Sequence, residues 1–321
     1  MSTEPVRSPA SSAETHPPTV GIVGGGPWGI ALSRAAARSG SRVVLHTRRE
    51  SKDGRLIQTT TDYAEIAKNR LLIIAVPSNV AREVARALGD HLDGSHLVVH
   101  GVRGLAGGDE LRTISDILRE ETPVRRLGAL GGPVQADELH QGTPSTLVVG
   151  SHFPEVTKAV TKAFSGPWLR VYSTHDLRGL EWASAMVGCI SVGAGFARAA
   201  GAGPGLVAAL ISRAVHDAGR IATIAGAEEQ TLYGLGGYGD LLATIALENR
   251  PEVRLGRFLG QGRSLEEAKL EAGLRVEAVE LIPRVLAFAK IHGLVVPAFE
   301  GLARMLQGQP GADILSKFFA A

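Results

Sequence analysis

The stretch TVGIVGGGPWGIALSRAAARSG, residues 19–40, decides the fold of this chain. A short apolar run comes first, a cluster of glycines follows it, and a helical pattern follows the glycines. Gly24, Gly26 and Gly29 match the spacing G-x-G-x-x-G, which serves a tight turn, close approach of backbone to a pyrophosphate and close helix–strand packing. The helix N-terminus also offers free N–H groups to a phosphate. The pattern predicts a dinucleotide-binding turn; the alternative is a turn that merely connects strand and helix.

The first half of the chain alternates short apolar runs with helical patterns. Such spacing implies crossover helices and therefore a doubly wound, mostly parallel sheet that is covered on both faces. Helical patterns lie at 30–38 and 80–88. The predicted strands are 19–23, 42–46, 70–76, 96–101 and 145–150.

The second half reads as all-helical. Strand signals stop near Ser173, and breakers such as Gly201 and Gly293 separate long helical patterns. The small-residue run 183–196 predicts a helix buried on most sides rather than a membrane span. We therefore predict a disordered tail at 1–18, an α/β domain at 19–172 and an all-α domain at 173–321. The predicted helices are 176–200, 205–225, 264–272 and 276–292.

Composition excludes several classes of function. The 321 residues suit two domains, and a hydrophobic share of 44% is enough for a real core. Lys plus Arg, 34, exceeds Asp plus Glu, 32, by only 2, so net charge supports neither a nucleic-acid partner nor a basic membrane surface. The single cysteine, Cys189, excludes internal disulfides and cysteine-based zinc sites, and no metal site is predicted. No secretory signal pattern is seen, so a reduced, cytoplasmic location is expected.

The end of the second predicted strand bears on the choice of cofactor. A site that prefers NAD places Asp or Glu there for the ribose hydroxyl, but the sequence reads HTRRE at 46–50. Guanidinium groups pair bidentately with phosphate, so Arg48 and Arg49 favour NADP. NAD is left open, as is the alternative that both arginines simply solvate a loop.

Several motifs in a shared order resemble one known family, the soluble NAD(P)-dependent glycerol-3-phosphate dehydrogenases. The resemblance covers nearly all of the chain from residue 19 onward. In the first half it rests on GGGPWGIAL (24–32), AVPS (75–78), GVRGL (101–105) and GGPVQADEL (131–139). In the second half it rests on HDLRGLEWASAM (175–186), AALISRAV (208–215), GLGGYGDLLAT (234–244) and RVEAVEL (275–281).

The resemblance implies a Rossmann domain followed by a helical substrate domain, with hydride passing between the nicotinamide and C2 of dihydroxyacetone phosphate or glycerol 3-phosphate. The many apolar helices favour a homodimer. The turn and the resemblance together predict these cofactor-binding residues: Gly24, Gly26, Pro27, Trp28, Gly29, Arg48, Arg49, Pro77, Ala136 and Glu277. They predict Arg103, Gly132, Val134, Asn249 and Arg250 as substrate-binding residues and Asp240, Thr244 and Arg103 as catalytic residues.

The chain departs from the family where the chemistry is done. Val187 occupies the position of the family's proton-donating lysine, and Gly188 replaces the neighbouring Asn. Arg103 replaces a second lysine and keeps its charge, but a guanidinium does not give up its proton at neutral pH. The ungapped register places Pro251-Glu252 where the family's phosphate-binding Arg-Asn pair belongs. A slip of one or two residues offers Asn249 and Arg250 instead, with Arg254 as a further candidate, and the loop at 49–62 is short for the family.

Three of the remaining polar residues have alternative interpretations. Asp240 and Thr244 are four residues apart and share a helix face, although an Asp after a glycine run is also a good helix N-cap. Glu277 matches the family's contact to the nicotinamide half, or is a solvated glutamate at a helix start.

His100 and His175 are stand-in candidates for the missing proton donor, although a lone histidine is usually structural. Cys189 is expected inside the buried helix and not as a nucleophile.

Three functions compete. The first is an NADP(H)-dependent oxidoreductase for a small phosphorylated substrate, glycerol 3-phosphate by resemblance. The second is a nucleotide-binding sensor or assembly protein that has lost catalysis, which Val187 and Pro251-Glu252 favour. The third keeps hydride transfer but acts on a different 2-oxo or 2-hydroxy acid. The first is preferred because the motifs of both domains are retained.

Overall fold

A computed structural model describes residues 17–48, 56–106, 111–273 and 275–320. Most of the tail predicted at 1–18 lies outside these ranges, as does Arg49. β8 ends at Thr174 and α7 begins at Leu177, while the boundary drawn at 172/173 stays a prediction.

The described part of the first half forms one eight-stranded sheet with the order β3-β2-β1-β4-β5-β6-β7-β8. All neighbouring strands are parallel except β6 and β7, which are antiparallel. The prediction of a doubly wound, mostly parallel sheet is confirmed. The strands are β1 Thr19–Val23, β2 Arg42–His46, β3 Ile57–Thr60, β4 Leu71–Ile74, β5 Leu97–His100, β6 Arg126–Gly131, β7 Ser145–Gly150 and β8 Leu169–Thr174.

Three of these strands were not predicted, and each has a physical reason to be missed. β3 and β8 are the edge strands, where side chains are partly exposed and the apolar signal is weak. β6 carries two glycines, Gly128 and Gly131, which lower strand propensity.

Helices cover both faces of the sheet, because successive residues of a strand point to opposite sides. Val20 and Ile22 of β1 face a core that includes Leu32 and Val156, whereas Val23 faces a core that includes Ile66. The helices of this half are α1 Pro27–Arg38, α2 Tyr63–Ala67, α3 Ala81–Gly89, α4 Ile114–Glu121, α5 Ala136–Gln141 and α6 Pro154–Phe164, with a short 3₁₀ turn at Ser78–Val80.

The second half is helical, as predicted, and is built around one buried helix, α7. α7 is long and apolar enough to cross a membrane by length and composition, and 94% of its apolar window is buried inside the protein. The core helix of a soluble protein passes the same test, so the finding is weak evidence for a span. The helices are α7 Leu177–Ala199, α8 Pro204–Ile224, α9 Glu229–Tyr233, α10 Asp240–Ile245, α11 Pro251–Gly260, α12 Leu265–Ala272, α13 Ala278–Ile291, α14 Pro297–Leu306 and α15 Gly311–Ala320, with a π-helical turn at Leu235–Gly239.

Glycines let α11 lie directly against α7. A Cβ added at Gly195 of α7 would overlap the carbonyl oxygen of Val253, and one at Gly256 of α11 would overlap that of Val192. This close approach places α11 beside the C-terminal half of α7. The same packing sets the position of the residues that line the cleft described below.

Candidate active site

A cleft of about 370 Å³ lies between the two halves of the chain. It opens at the carboxyl ends of β4, β5 and the glycine turn after β1, the edge at which doubly wound sheets bind ligands. Residues of α7, α11 and α13 close its other side. The cleft brings together these predicted site residues: Gly26, Pro27, Trp28, Pro77, Arg103, Gly132, Val134, Ala136, Asp240, Arg250 and Glu277.

The glycine turn has the geometry that a pyrophosphate needs. Gly24 has φ +125°, and a Cβ there would overlap the carbonyl oxygen of Ala75 at the end of β4. A Cβ on Gly29 would overlap the carbonyl oxygen of Gly24, so the helix packs tightly on the turn. At Gly26, by contrast, no described atom lies within 4 Å of an added Cβ. The open side of Gly26 faces the cleft and fits the phosphates of a dinucleotide.

We predict that Gly29→Ala destabilises the protein by about 1–3 kcal/mol, because backbone atoms block the added methyl group. Gly26→Ala is the matched control: its backbone is extended (φ −77°), so stability should hold while affinity for the dinucleotide falls. Urea unfolding and fluorescence titration with NADPH measure the two effects. Equal stability of both variants would contradict the packing role of Gly29.

The end of β2 leads toward the same cleft without lining it. His46 stacks on Tyr63 with ring centroids 4.2 Å apart, and burial lowers the pKa of its imidazole. Arg48 is exposed two residues further on. Its predicted contact with a ribose phosphate stays a prediction.

Arg103 and Asp240 form an ion pair in the cleft. Nη2 of Arg103 donates to both carboxylate oxygens of Asp240, at 2.9 and 2.8 Å, and Oγ1 of Thr244 donates to Oδ1 at 3.2 Å. The N-cap alternative for Asp240 is wrong, because Asp240 is the first residue of α10 after Gly239 and makes no capping hydrogen bond. Its carboxylate instead holds Arg103 in place.

Burial dominates the electrostatics of this pair. It raises the pKa of the Asp240 carboxyl, and the nearby Arg103 opposes that rise. Burial alone would lower the pKa of Arg103, but Asp240, Glu252 and Glu277 together raise it above its ordinary value. Arg103 is therefore a permanent cation. Its Nη1 is buried and has no hydrogen-bond partner within the described residues, so it is free to bind a substrate oxygen.

The segment before α11 supplies a second cation. Arg250 lines the cleft, and its buried Nε lacks a partner among the described residues. Burial lowers its pKa, and the charge of Arg103 adds to that effect. Asn249 is exposed and outside the cleft, while Arg254 donates to the carbonyl of Glu271. Of the three alternatives for the phosphate anchor, the structure brings only Arg250 to the cleft.

Glu277 joins the two halves of the site. Its Oε1 accepts a hydrogen bond of 2.9 Å from the backbone N–H of Ser78, and burial raises its pKa. Gly104 has φ +121°, and a Cβ there would overlap the Glu277 carboxylate. The solvated-glutamate alternative is therefore wrong.

Comparisons with known proteins agree on one family. Models of the N-terminal and C-terminal parts of NAD-dependent glycerol-3-phosphate dehydrogenase match residues 51–157 and 176–315. A glycerol-3-phosphate dehydrogenase [NAD(P)+] of Moorella thermoacetica is 32% identical over 93% of this chain and 94% of its own. The chain belongs to the NAD(P)-dependent glycerol-3-phosphate dehydrogenase family. A relative of that name from Fusobacterium nucleatum is 30% identical over 89% of this chain and 92% of its own.

Solved structures share the fold of this dehydrogenase family. A glycerol-3-phosphate dehydrogenase from Coxiella burnetii superposes with a TM-score of 0.85 at 24% identity, over 95% of this chain and 99% of its own. A ketopantoate reductase from Ralstonia eutropha reaches a TM-score of only 0.56 at 19% identity, over 93% and 99% of the two chains. Both comparisons concern the fold alone.

The structure shows how this dehydrogenase differs from its family at α7. Val187 is 3% exposed and does not line the cleft. The neighbouring positions Ser184 and Gly188 do, and a Cβ at Gly188 would meet no described atom within 4 Å. The space beside Gly188 is therefore open to substrate. Cys189 is buried, as expected, and burial raises the pKa of its thiol.

Neither candidate histidine reaches the cleft. His100 is buried, and its Nε2 lies 2.9 Å from Oε1 of Glu181. The Glu181 carboxylate also accepts hydrogen bonds of 2.8 and 2.7 Å from the N–H and hydroxyl of Ser115. His175 is exposed. His100 thus belongs to a structural network between the two halves of this dehydrogenase.

Sequence reasoning missed much of the cleft wall. Ser184 and Gly188 are four residues apart on α7, so helical periodicity could have placed them on one face. Most of the others are small or apolar residues with no sequence signal of their own. The lining residues not predicted are Ala75, Val76, Gly101, Val102, Gly104, Leu130, Gly131, Ser184, Ala185, Gly188, Glu252, Arg275, Ala278 and Leu281.

Proposed function

We propose that this chain is an NAD(P)H-dependent oxidoreductase that interconverts dihydroxyacetone phosphate and glycerol 3-phosphate by hydride transfer. One observation carries the proposal: a single cleft joins the open glycine turn at Gly26 to two cations, Arg103 and Arg250. The names of its relatives in the family support the same reaction.

Each part of the cleft has a role in that reaction. The glycine turn and Glu277 would hold the dinucleotide, which supplies the hydride when it is bound. Nη1 of Arg103 stabilises negative charge that develops on the C2 oxygen during reduction. Arg250 binds the phosphate of the substrate. Asp240 and Thr244 position Arg103.

Each of the two alternative functions is favoured by one specific observation. Val187 has no proton to donate, which favours a nucleotide-binding protein without catalysis. Glu252 places a carboxylate on the wall of the cleft, which favours a substrate other than a triose phosphate.

The deciding experiment is NADPH oxidation at saturating dihydroxyacetone phosphate, with pyruvate and a branched 2-oxo acid as parallel substrates. We expect turnover with the triose phosphate alone. Turnover no faster than background would contradict the proposal. Quenching of Trp28 fluorescence by NADPH without any turnover would then favour the sensor, and turnover of an oxo acid would favour the third function.

We infer a preference for NADP, because Arg48 follows β2 where an acidic residue would serve NAD. Arg48→Ala should raise the KM for NADPH about tenfold or more, since a hydrogen bond between charged groups contributes about 1.5–3 kcal/mol. The KM for NADH should not change, and it is the internal control. Equal effects on both cofactors would contradict the inference. The homodimer and the cytoplasmic location stay predictions.

A further inference from the structure

Reduction of a ketone needs a proton at the carbonyl oxygen as well as a hydride at carbon. The family's lysine is absent at Val187, so another group must supply that proton. Within the described part of the chain, the ionisable residues that line the cleft are Arg103, Asp240, Arg250, Glu252, Arg275 and Glu277.

Five of these six residues are unsuited to the role. The three guanidinium groups keep their protons at neutral pH. Both oxygens of Asp240 receive hydrogen bonds from Arg103, and Oδ1 receives another from Thr244. Oε1 of Glu277 is held by the backbone N–H of Ser78, and its Oε2, which also lacks a hydrogen-bond partner in the described ranges, lies against Gly104, on the side of the cleft that we assign to the dinucleotide.

Glu252 remains. Its Oε2 is buried and lacks a hydrogen-bond partner in the described ranges, although two cations are close enough to feel its charge. An unpartnered carboxylate oxygen at the wall of a polar cleft is costly unless a ligand satisfies it.

Glu252 of α11 lines the same cleft as Gly188 of α7, beside which space is open. Glu252 is the second residue of α11, one position before Val253, whose carbonyl lies against Gly195 of α7. Its charge also contributes to raising the pKa of Cys189, the residue after Gly188. Glu252 therefore lies in the wall of the cleft to which α7, the helix that lacks the family's lysine, also contributes residues.

We propose that Glu252 is the catalytic acid–base residue that replaces the family's lysine, an inference that rests on the proposed reaction. In reduction, hydride adds to C2, the C=O electron pair moves to the oxygen, and the oxygen takes the proton of the Glu252 carboxyl group. The resulting carboxylate regains a proton from water. In oxidation, the carboxylate takes the hydroxyl proton as hydride leaves C2, so atoms and charge balance in both directions.

Glu252→Gln tests the assignment, because it keeps the shape of the side chain and removes the titratable proton. We expect kcat to fall about 100- to 10,000-fold in both directions, the range for loss of general acid–base catalysis. NADPH affinity, read by fluorescence titration, should change less than twofold. The pH dependence of the reduction rate should also change. Glu248→Gln, at an exposed position outside the cleft, is the matched control and should retain full activity.

A second variant tests whether the loss of kcat in Glu252→Gln comes from a structural defect. Adding Val187→Lys to Glu252→Gln returns a proton donor to α7, and we expect at least about tenfold recovery of kcat. Glu252→Gln with unchanged kcat and pH profile, beside an active unmodified protein, would overturn the role of Glu252 alone. No turnover by the unmodified protein would overturn the proposed function, and this role with it.

Discussion

Arg103→Met is expected to lower kcat about 100- to 1,000-fold and the free energy of unfolding by about 3–5 kcal/mol. The change removes the partner of Asp240, a side chain that is only 1% exposed, and leaves its charge buried without compensation. It also removes the guanidinium that we propose stabilises the C2 oxygen, and deletion of one such donor costs about 100- to 1,000-fold in kcat. Urea unfolding and NADPH oxidation measure the two losses separately.

The stability loss in Arg103→Met should depend on pH in a defined direction. Burial raises the pKa of Asp240, and Arg103 opposes that rise, so the variant carries a still higher pKa. A carboxyl whose pKa is higher in the folded state binds more protons when folded, and stability falls as pH rises from its unfolded pKa through its folded pKa. The deficit relative to the unmodified protein should therefore be smaller at about pH 5 than at about pH 8.

Arg103→Lys is the matched control, since it keeps the positive charge but loses the planar fork of donors. It should recover most of the stability and only part of the activity. A Met variant as stable as the Lys variant would contradict the view that the ion pair compensates a buried charge.

Glu181→Leu is expected to lower the free energy of unfolding by about 3–5 kcal/mol. Glu181 of α7 accepts hydrogen bonds from the N–H and hydroxyl of Ser115 at the start of α4 and lies against His100 at the end of β5. Leucine would remove the partner of the Ser115 N–H and of His100 Nε2 where the helical half meets the sheet, and the Ser115 hydroxyl would keep only its contact with Oγ1 of Thr113. Calorimetric unfolding measures the loss.

Ser115→Ala is the control for this network, because it removes only the hydroxyl, which lies 2.7 Å from Oε2 of Glu181 and 3.0 Å from Oγ1 of Thr113, and leaves the other two contacts of Glu181 in place. It should cost about 0.5–1.5 kcal/mol, the usual net value of one hydrogen bond. A loss of less than about 1 kcal/mol in Glu181→Leu would show that the network does not join the two halves.

Local patterns were sufficient for five of the eight described strands, the buried helix and the glycine turn. Regular apolar periodicity predicted β1, β2, β4, β5 and β7, and the small residues of α7 predicted its burial. Edge strands and short helices escaped prediction because their side chains are partly exposed and their patterns are weak.

The substrate side of the cleft was predicted less well. The alignment register alone did not decide which of Asn249, Arg250 and Arg254 binds the phosphate, because a linear sequence does not show which of three nearby side chains reaches the cleft. Pro251 begins α11, and this start directs Arg250 into the cleft while Asn249 stays exposed. The orientation of a side chain at a helix start depends on what the helix packs against, which a linear pattern does not contain.

The amino-acid sequence alone specified the dinucleotide-binding fold, since the roles of Gly24, Gly26 and Gly29 depend on neighbours only a few residues away or on one adjacent strand. It also revealed that a lysine is missing at Val187. Only the packed structure brought Arg103 to Asp240, 137 positions along the chain, and placed Glu252 in the wall of the same cleft as Gly188. Contacts between distant segments arise from the packing of whole helices, so the set of side chains that meet in this cleft depends on the tertiary structure.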